Sequence, residues 1–195
     1  MKILLSFDDG TVEDLKVIEL LNKYNLRGLF FIPIESWGYE NLDKYEGHEI
    51  GSHTITHPAD MKLLDKKQRL KEVATSKILL EERLGHKVES FCYPKGKYDE
   101  NTVEEVRKAG YEWARTTVVG TIEPAEDPYR TNTSVHIYPR AEYDDIHWFD
   151  YGVNLLNQAR NKKNSVFHLW GHGWELNKFN YWNAFERLLN EITHS

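Results

Sequence analysis

The chain opens on an apolar run, Ile3-Leu4-Leu5-Ser6-Phe7, that suits a buried strand and stops at Asp8-Asp9-Gly10. Past Gly10 the period changes. Val12, Leu15, Val17, Ile18, Leu20 and Leu21 recur at helical spacing, with Thr11 as the expected N-cap, Asp14 in capping-box position and Asn25 as the stop. Gly28 to Ile32 is a second apolar run, halted by Pro33. Strand, helix, strand in this order predicts parallel pairing through a right-handed crossover. After a polar loop holding Trp37 and Tyr39, Glu49 to His53 reads as a third, short strand. Helical spacing at Leu70, Val73, Ile78 and Leu79 then predicts a helix from Asp65 to about Leu84, capped by Gly85.

The alternation continues to the end of the chain. Ser90 to Tyr93 is a fourth strand closed by Pro94-Lys95-Gly96, a helix through Val103, Val106 and Ala109 runs to Gly110, and Tyr111 to Thr117 is a fifth strand. Residues 120–134, with Pro124 and Pro128, read as a loop. Val135 to Tyr138 alternates as a sixth strand, 144–160 is helical, Ser165 to His172 is a seventh strand, and a last helix runs from about Phe179 to Ile192. No repeat, low-complexity tract or linker divides residues 1–195, so one α/β domain is expected. Its pattern is a β/α barrel with about seven parallel strands, smaller than the usual eight-unit form of ~250 residues.

Such barrels gather their chemistry at the carboxyl ends of the strands. The polar clusters fall there: Asp8-Asp9, His53, Tyr93-Pro94 and His172. His53 and His57 are spaced i, i+4, but Gly51 before them, Thr54-Ile55-Thr56 between them and Pro58 after them disfavour a helix. A strand end turning into a tight loop would instead bring two imidazoles together. That pair suits a borderline divalent cation such as zinc, which needs a third ligand, usually a carboxylate. Of Asp8 and Asp9, one can complete the site while the other takes a proton from water. The plainer alternatives are a coincidental surface pair of histidines and an N-cap and turn built by the aspartates.

Composition narrows the partners. A formal net charge of −6 over 195 residues argues against a basic nucleic-acid-binding face. No apolar run approaches the ~20 residues of a membrane span. The acidic turn at Asp8 comes too early for a signal-peptide core, and the one cysteine, Cys92, excludes an internal disulfide and fits a reducing compartment, so the cytoplasm is the expected location. Tryptophan is abundant late in the chain, at Trp148, Trp170, Trp174 and Trp182. Most of these are expected in the core, and Trp174 is assigned to the substrate, since apolar sugar faces pack on aromatic rings.

Ser6-Phe7-Asp8-Asp9-Gly10 resembles the first motif of the polysaccharide deacetylase family (the NodB-homology domain), usually Thr-Phe-Asp-Asp-Gly. His53-Thr54-Ile55-Thr56-His57 matches its second, His-Ser/Thr-x-x-His, and order and spacing fit from residue 3 to about 175. The resemblance implies a distorted β/α barrel that removes acetyl groups from carbohydrates with a divalent metal. It implies Asp9, His53 and His57 as metal ligands, Asp8 as general base and Thr54 as a local stiffener of the loop. The third motif, usually Arg-x-Pro-x-Gly, stands here as Cys92-Tyr93-Pro94-Lys95-Gly96. Tyr93 would face the oxyanion with its backbone N–H, and Tyr93 and Pro94 would meet the substrate. The fifth motif, Leu-x-His, is present less cleanly in His168-Leu169-Trp170-Gly171-His172.

Two departures follow. Cys92 replaces the arginine that orients the base, and Arg115 on the next strand is the expected substitute. His168 and His172 share a face of the last strand. His172, nearer the carboxyl end and flanked by Gly171 and Gly173, is taken as the general acid, and His168 as a hydrogen-bonded core residue. The expected cofactor is Zn2+, with Co2+, Ni2+ or Fe2+ as other candidates, and the expected partner is an N-acetylated sugar or oligosaccharide. The alternatives are an amidase acting on a non-sugar C–N bond and a catalytically impaired carbohydrate-binding relative.

Overall fold

The structure, a computed structural model, describes residues 1–193. Its strands are β1 Lys2–Asp8, β2 Leu29–Ile32, β3 Glu49–Ser52, β4 Ser90–Cys92, β5 Trp113–Arg115, β6 Val135–His136 and β7 Val166–His172. All pair in parallel in one curled sheet, a distorted β/α barrel of order β5-β4-β3-β2-β1-β7-β6. Parallel strands are covered on both faces, which is why they read as near-continuous apolar runs. β1 is the spine: it pairs with β7 from Lys2↔Val166 to Asp8↔His172, and with β2 from Ser6↔Leu29 to Asp8↔Phe31. The curl closes at a seam beside β5, where an isolated bridge joins Arg115 to Thr131 and the Gly120 N–H donates to Ser134 O (3.0 Å).

The helices are α1 Asp14–Lys23, α2 Trp37–Glu40, α3 Lys66–Leu70, α4 Ser76–Leu84, α5 Glu100–Lys108, α6 Trp148–Arg160, α7 Gly173–Lys178 and α8 Trp182–Thr193. The main core lies between helices and sheet, where Phe7, Val17, Leu21, Phe30, Val106, Phe167, Phe185 and Leu188 are all fully buried. Each such side chain contributes about 1.5–3 kcal/mol on leaving water. Alternate strand residues point into the curl, which is unusually polar: Ser6, Asp8, Cys92, Arg115 and His168 are buried there. Gly51 makes room for them. A Cβ on Gly51 would fall 2.5 Å from the Phe31 ring and 2.6 Å from Ser90 Oγ.

Several boundaries differ from the pattern-based expectation. α1 starts later than predicted: Glu13 occupies the N-cap without a side-chain hydrogen bond, and Thr11 sits in a preceding turn. Asp14 is no capping-box partner. It is buried and accepts a 2.9 Å hydrogen bond from the Tyr45 hydroxyl. The third strand ends at Ser52, leaving His53 just beyond it. The predicted helix over 65–84 is α3 and α4 joined by a π turn, Lys71–Thr75, with a capping box between Asp65 and Gln68 at its start and Gly85 at φ 72° at its end. The last predicted helix corresponds to α8 alone; α7, which leaves β7 at once, lies before it and outside every predicted helix, with too few apolar residues in its six positions to show a period. Among the described residues no helix is long and apolar enough to cross a membrane.

Candidate active site

At the carboxyl end of β1 the chain turns sharply, with Asp9 at φ 77° and Gly10 at φ 57°. This turn separates two neighbouring carboxylates into different surroundings. Asp8 points into the curl and is 2 % exposed. Its Oδ2 accepts from Arg115 Nη2 and lies 3.6 Å from Cys92 Sγ, while Oδ1 has no hydrogen-bond partner among the described residues. Burial opposes its charge, but Arg115, then His53 and His172, outweigh that and hold its pKa below the usual carboxylate value. Asp8 is therefore an anion with one oxygen pinned and one open.

Asp9 faces the other way, toward the His53–His57 loop. Its Oδ1 lies 3.8 Å from His53 Nε2 and 3.6 Å from His57 Nε2, and hydrogen-bonds to nothing among the described residues. The two imidazoles are 4.7 Å apart between centroids. His53 Nδ1 lies 2.9 Å from Cys92 O, which aims Nε2 into the pocket. Burial pushes His53 down to about 4, so a neutral imidazole is the resident form. A buried, unpartnered carboxylate oxygen and two imidazole nitrogens with lone pairs free to share fit a divalent cation, and the three ligand atoms all lie within 4.8 Å of one another. Among the described residues two further groups, Asp8-His53-Cys92 and His136-His172-Glu175, bring their ligand atoms equally close. The first has its carboxylate bound by Arg115, and in the second both histidine nitrogens are already hydrogen-bonded to Glu175 Oε2.

The loop between the histidines is held in a shape that its residues do not adopt freely. Thr54 has φ 72° and His57 φ 50°, left-handed conformations that cost a non-glycine residue on the order of 1–3 kcal/mol each. Thr54 Oγ1 donates to His53 O and accepts from the His57 N–H at 3.1 Å, fastening the turn internally.

His172, the last residue of β7, sits opposite Asp8 in register, and its Nε2 lies 3.7 Å from Asp9 Oδ2. Its Nδ1 is 2.6 Å from Glu175 Oε2, an oxygen that also lies 2.9 Å from His136 Nε2. Burial opposes a charge on His172, but the Glu175 bond and the carboxylates of Glu175, Asp8 and Asp9 push it up to about 9. Glu175 is held at about 2 despite its burial, because both histidines bond to it. Burial takes His136 down to about 4. The neutral His136 ring stacks on Trp170 at 3.6 Å, and Trp170 in turn carries the Arg115 guanidinium at 4.3 Å. In the sequence His136 reads as a strand residue with no role of its own, and Glu175 belongs to no expected site. The signal was available in His172-x-x-Glu175, a capping-box spacing at a helix start.

Trp174 lies beside His172 (5.2 Å between rings), but its indole N–H donates to Asp9 Oδ2 at 3.1 Å, so it holds a pocket carboxylate as well as walling the site. Tyr93 departs from expectation. Its backbone N–H donates to Arg115 O at 3.3 Å, within the sheet, instead of standing open to an oxyanion. Its side chain is buried, stacked on Tyr98 at 4.1 Å with the hydroxyl bonded to Tyr129 O, and Pro94 is buried in the turn that follows. Neither side chain offers surface to a substrate. His168 is buried below the site with Nε2 2.9 Å from Ser6 Oγ, while Nδ1 has no partner among the described residues. Burial raises the Cys92 thiol well above its ordinary value, although Arg115 Nη2 lies 2.7 Å from its sulfur.

The two aspartates and both histidines all lie in the stretch, residues 1–114, that the family model for polysaccharide deacetylase matches. The chain belongs to the polysaccharide deacetylase family. YxkH of Bacillus subtilis (strain 168), which carries a provisional polysaccharide deacetylase name, is 29% identical over 136 residues, covering 65% of this chain and 48% of its own length. The peptidoglycan-N-acetylglucosamine deacetylase PgdA of Listeria monocytogenes is 25% identical over 122 residues, 60% of this chain and 26% of PgdA. The chain thus spans about half or less of the length of these curated relatives. Among solved structures, BA3943 of Bacillus anthracis, described as a CE4 family pseudoenzyme, superposes with a TM-score of 0.65 over 97% of this chain and 59% of that one, at 17% identity. That likeness establishes the fold. Because a pseudoenzyme shares it, the polysaccharide deacetylase fold does not by itself carry activity.

Proposed function

We propose that this chain is a metal-dependent hydrolase that removes an N-acetyl group from a carbohydrate, releasing acetate and a free amine. The observation that carries this reading is the pair of unpartnered carboxylate oxygens: Asp9 Oδ1 facing two imidazole Nε2 atoms, and Asp8 Oδ1 open beside them. Asp9, His53 and His57 would hold the cation. When bound, such an ion acidifies a water and polarises the acetyl carbonyl.

The protein's own groups account for the rest. Asp8, kept ionised by Arg115, accepts a proton from the attacking water at Oδ1. Arg115 takes the place of the arginine that the family pattern puts at Cys92, and this supports an active site over an impaired one. His172, held protonated by Glu175, donates from Nε2 to the leaving nitrogen as the C–N bond breaks. Trp174 fixes Asp9 and gives an aromatic wall to the sugar. An N-acetylated sugar or oligosaccharide is the substrate class that the relatives' names support, with zinc the cation best suited to one carboxylate and two imidazoles.

The test is acetate release from N-acetylated oligosaccharides. Chelation should abolish it and added zinc or cobalt should restore it. Full activity in a protein shown to be free of metal would overturn the proposal. Ammonia instead of acetate, released from a small amide, would replace it with an amidase of non-sugar substrates.

A further inference from the structure

The loop that carries His53 and His57 is gripped by a residue far along the chain. Glu72 lies in the π turn between α3 and α4, 7 % exposed. Its Oε2 accepts the Ile55 N–H at 2.8 Å and the Thr56 N–H at 3.0 Å, and its Oε1 accepts from Thr56 Oγ1 at 2.8 Å. All three bonds fall on the three residues between the two imidazoles. On the opposite side the loop is fastened by backbone alone, Ile34 N–H to Thr54 O (3.1 Å) and Glu35 N–H to Ile55 O (2.9 Å).

We propose that Glu72 is the positioning residue that imposes the metal-binding shape on the His53–His57 loop and so sets the affinity of the site. The inference rests on the reading of Asp9, His53 and His57 as a metal site. Two left-handed residues, Thr54 and His57, persist only where their surroundings over-determine them. Glu72 supplies that surrounding on the helix side. Ile55 is 7 % exposed, so without the carboxylate its N–H would be a donor withdrawn from water with no acceptor. The π turn explains how a helix meets this need: its extra residue lets Glu72 and Val73, adjacent in sequence, both turn inward. Freed from the clamp, Thr54 and His57 would relax toward ordinary backbone angles and carry the His57 ring away from Asp9 Oδ1.

Calorimetric titration of the metal-stripped protein with zinc tests this, alongside amide exchange at Ile55 and Thr56. Glu72→Ala should weaken zinc binding about 10–100-fold, the usual range for groups that orient ligands, and speed exchange at both amides by a similar factor. Turnover in that variant should recover as zinc is raised. Glu72→Gln, whose amide oxygen can still accept both N–H groups, should stay within a few-fold of wild type. Thr56→Val loses one bond at an exposed position where folding is not at stake, and should cost a few-fold. Zinc affinity within two-fold of wild type in both Glu72→Ala and Thr56→Val would overturn the proposal, even if the melting temperature fell. If wild-type protein bound no zinc, the metal reading would fall, and unaltered exchange at Ile55 and Thr56 in Glu72→Ala would then refute the clamp separately.

Discussion

Arg115, the last residue of β5, reaches across the curl to the carboxylate of Asp8, the last residue of β1, and neither is open to solvent. Arg115 is in register with Cys92 on the adjacent strand, so its cation enters the interior one strand over and at the same level as the family arginine would. A buried ion pair stripped of one partner leaves an uncompensated charge, typically at a cost of 3–5 kcal/mol. Arg115→Ala should therefore lower both thermal stability and, at saturating zinc, turnover by about 100-fold. Arg115→Lys should recover stability before turnover, because an ammonium does not reproduce the guanidinium's position over the Trp170 ring together with its bond to Asp8. Unchanged turnover in Arg115→Ala would remove Arg115 from the mechanism.

Glu175 should separate chemistry from metal binding. It touches His136 and His172 and none of the three proposed ligands. Glu175→Ala should cut kcat by about 100-fold, within the usual range for acid–base assistance, while calorimetry finds zinc affinity within a few-fold of wild type. A large loss of zinc affinity instead would assign Glu175 to the metal site.

Trp174 makes the converse prediction. Trp174→Phe keeps an aromatic wall and removes the N–H that holds Asp9. Zinc affinity should drop about ten-fold, as expected for a group that orients a ligand, with KM for the oligosaccharide changing less. A rise in KM alone would show that the indole serves the sugar and not the carboxylate.

Asp14 predicts a pH effect on stability in the metal-free protein. Burial pushes its carboxyl from 3.8 up to about 8, against the pull of the Tyr45 hydrogen bond. Between those values the folded chain keeps a proton that the unfolded chain has lost, so stability from this group declines as pH rises, by ~1.4 kcal/mol per pH unit. Asp14→Asn should flatten that decline. Melting temperatures of the two proteins measured from pH 5 to 8 should diverge steadily in favour of the variant, and parallel curves would show that Asp14 ionises normally.

The barrel was legible in the sequence because parallel strands write themselves as apolar runs and the helices between them keep one period over two or more turns. All seven strands were found on that basis, with ends adrift by a few residues. α7 was lost because six residues cannot show a helical period. Asp8, Asp9, His53 and His57 could be read locally, since each pair lies within one short segment at a strand end. Arg115 was reachable from the gap at Cys92. Glu72 and His136 were not, because each acts on a residue far away in the chain, and no spacing rule links position 72 to position 55 or 136 to 175. The Tyr93 N–H misled for a related reason: sequence does not reveal that Arg115 O already accepts it.

The seam beside β5 gives Arg115 an exposed flank in energy, if not in space. β5 has three residues, and past it the curl is joined by the bridge from Arg115 to Thr131 and by loop backbone bonds such as Gly120 N–H to Ser134 O, not by a full strand ladder. Short strands at the end of a sheet are where native proteins open locally, well before global unfolding. Such an opening would carry Arg115 away from Asp8 while β1 and β7 stayed zipped over seven residues. Moderate heating or denaturant should therefore abolish the proposed deacetylation at a threshold below that at which the circular dichroism collapses, leaving a folded barrel in which Asp8 has lost its arginine.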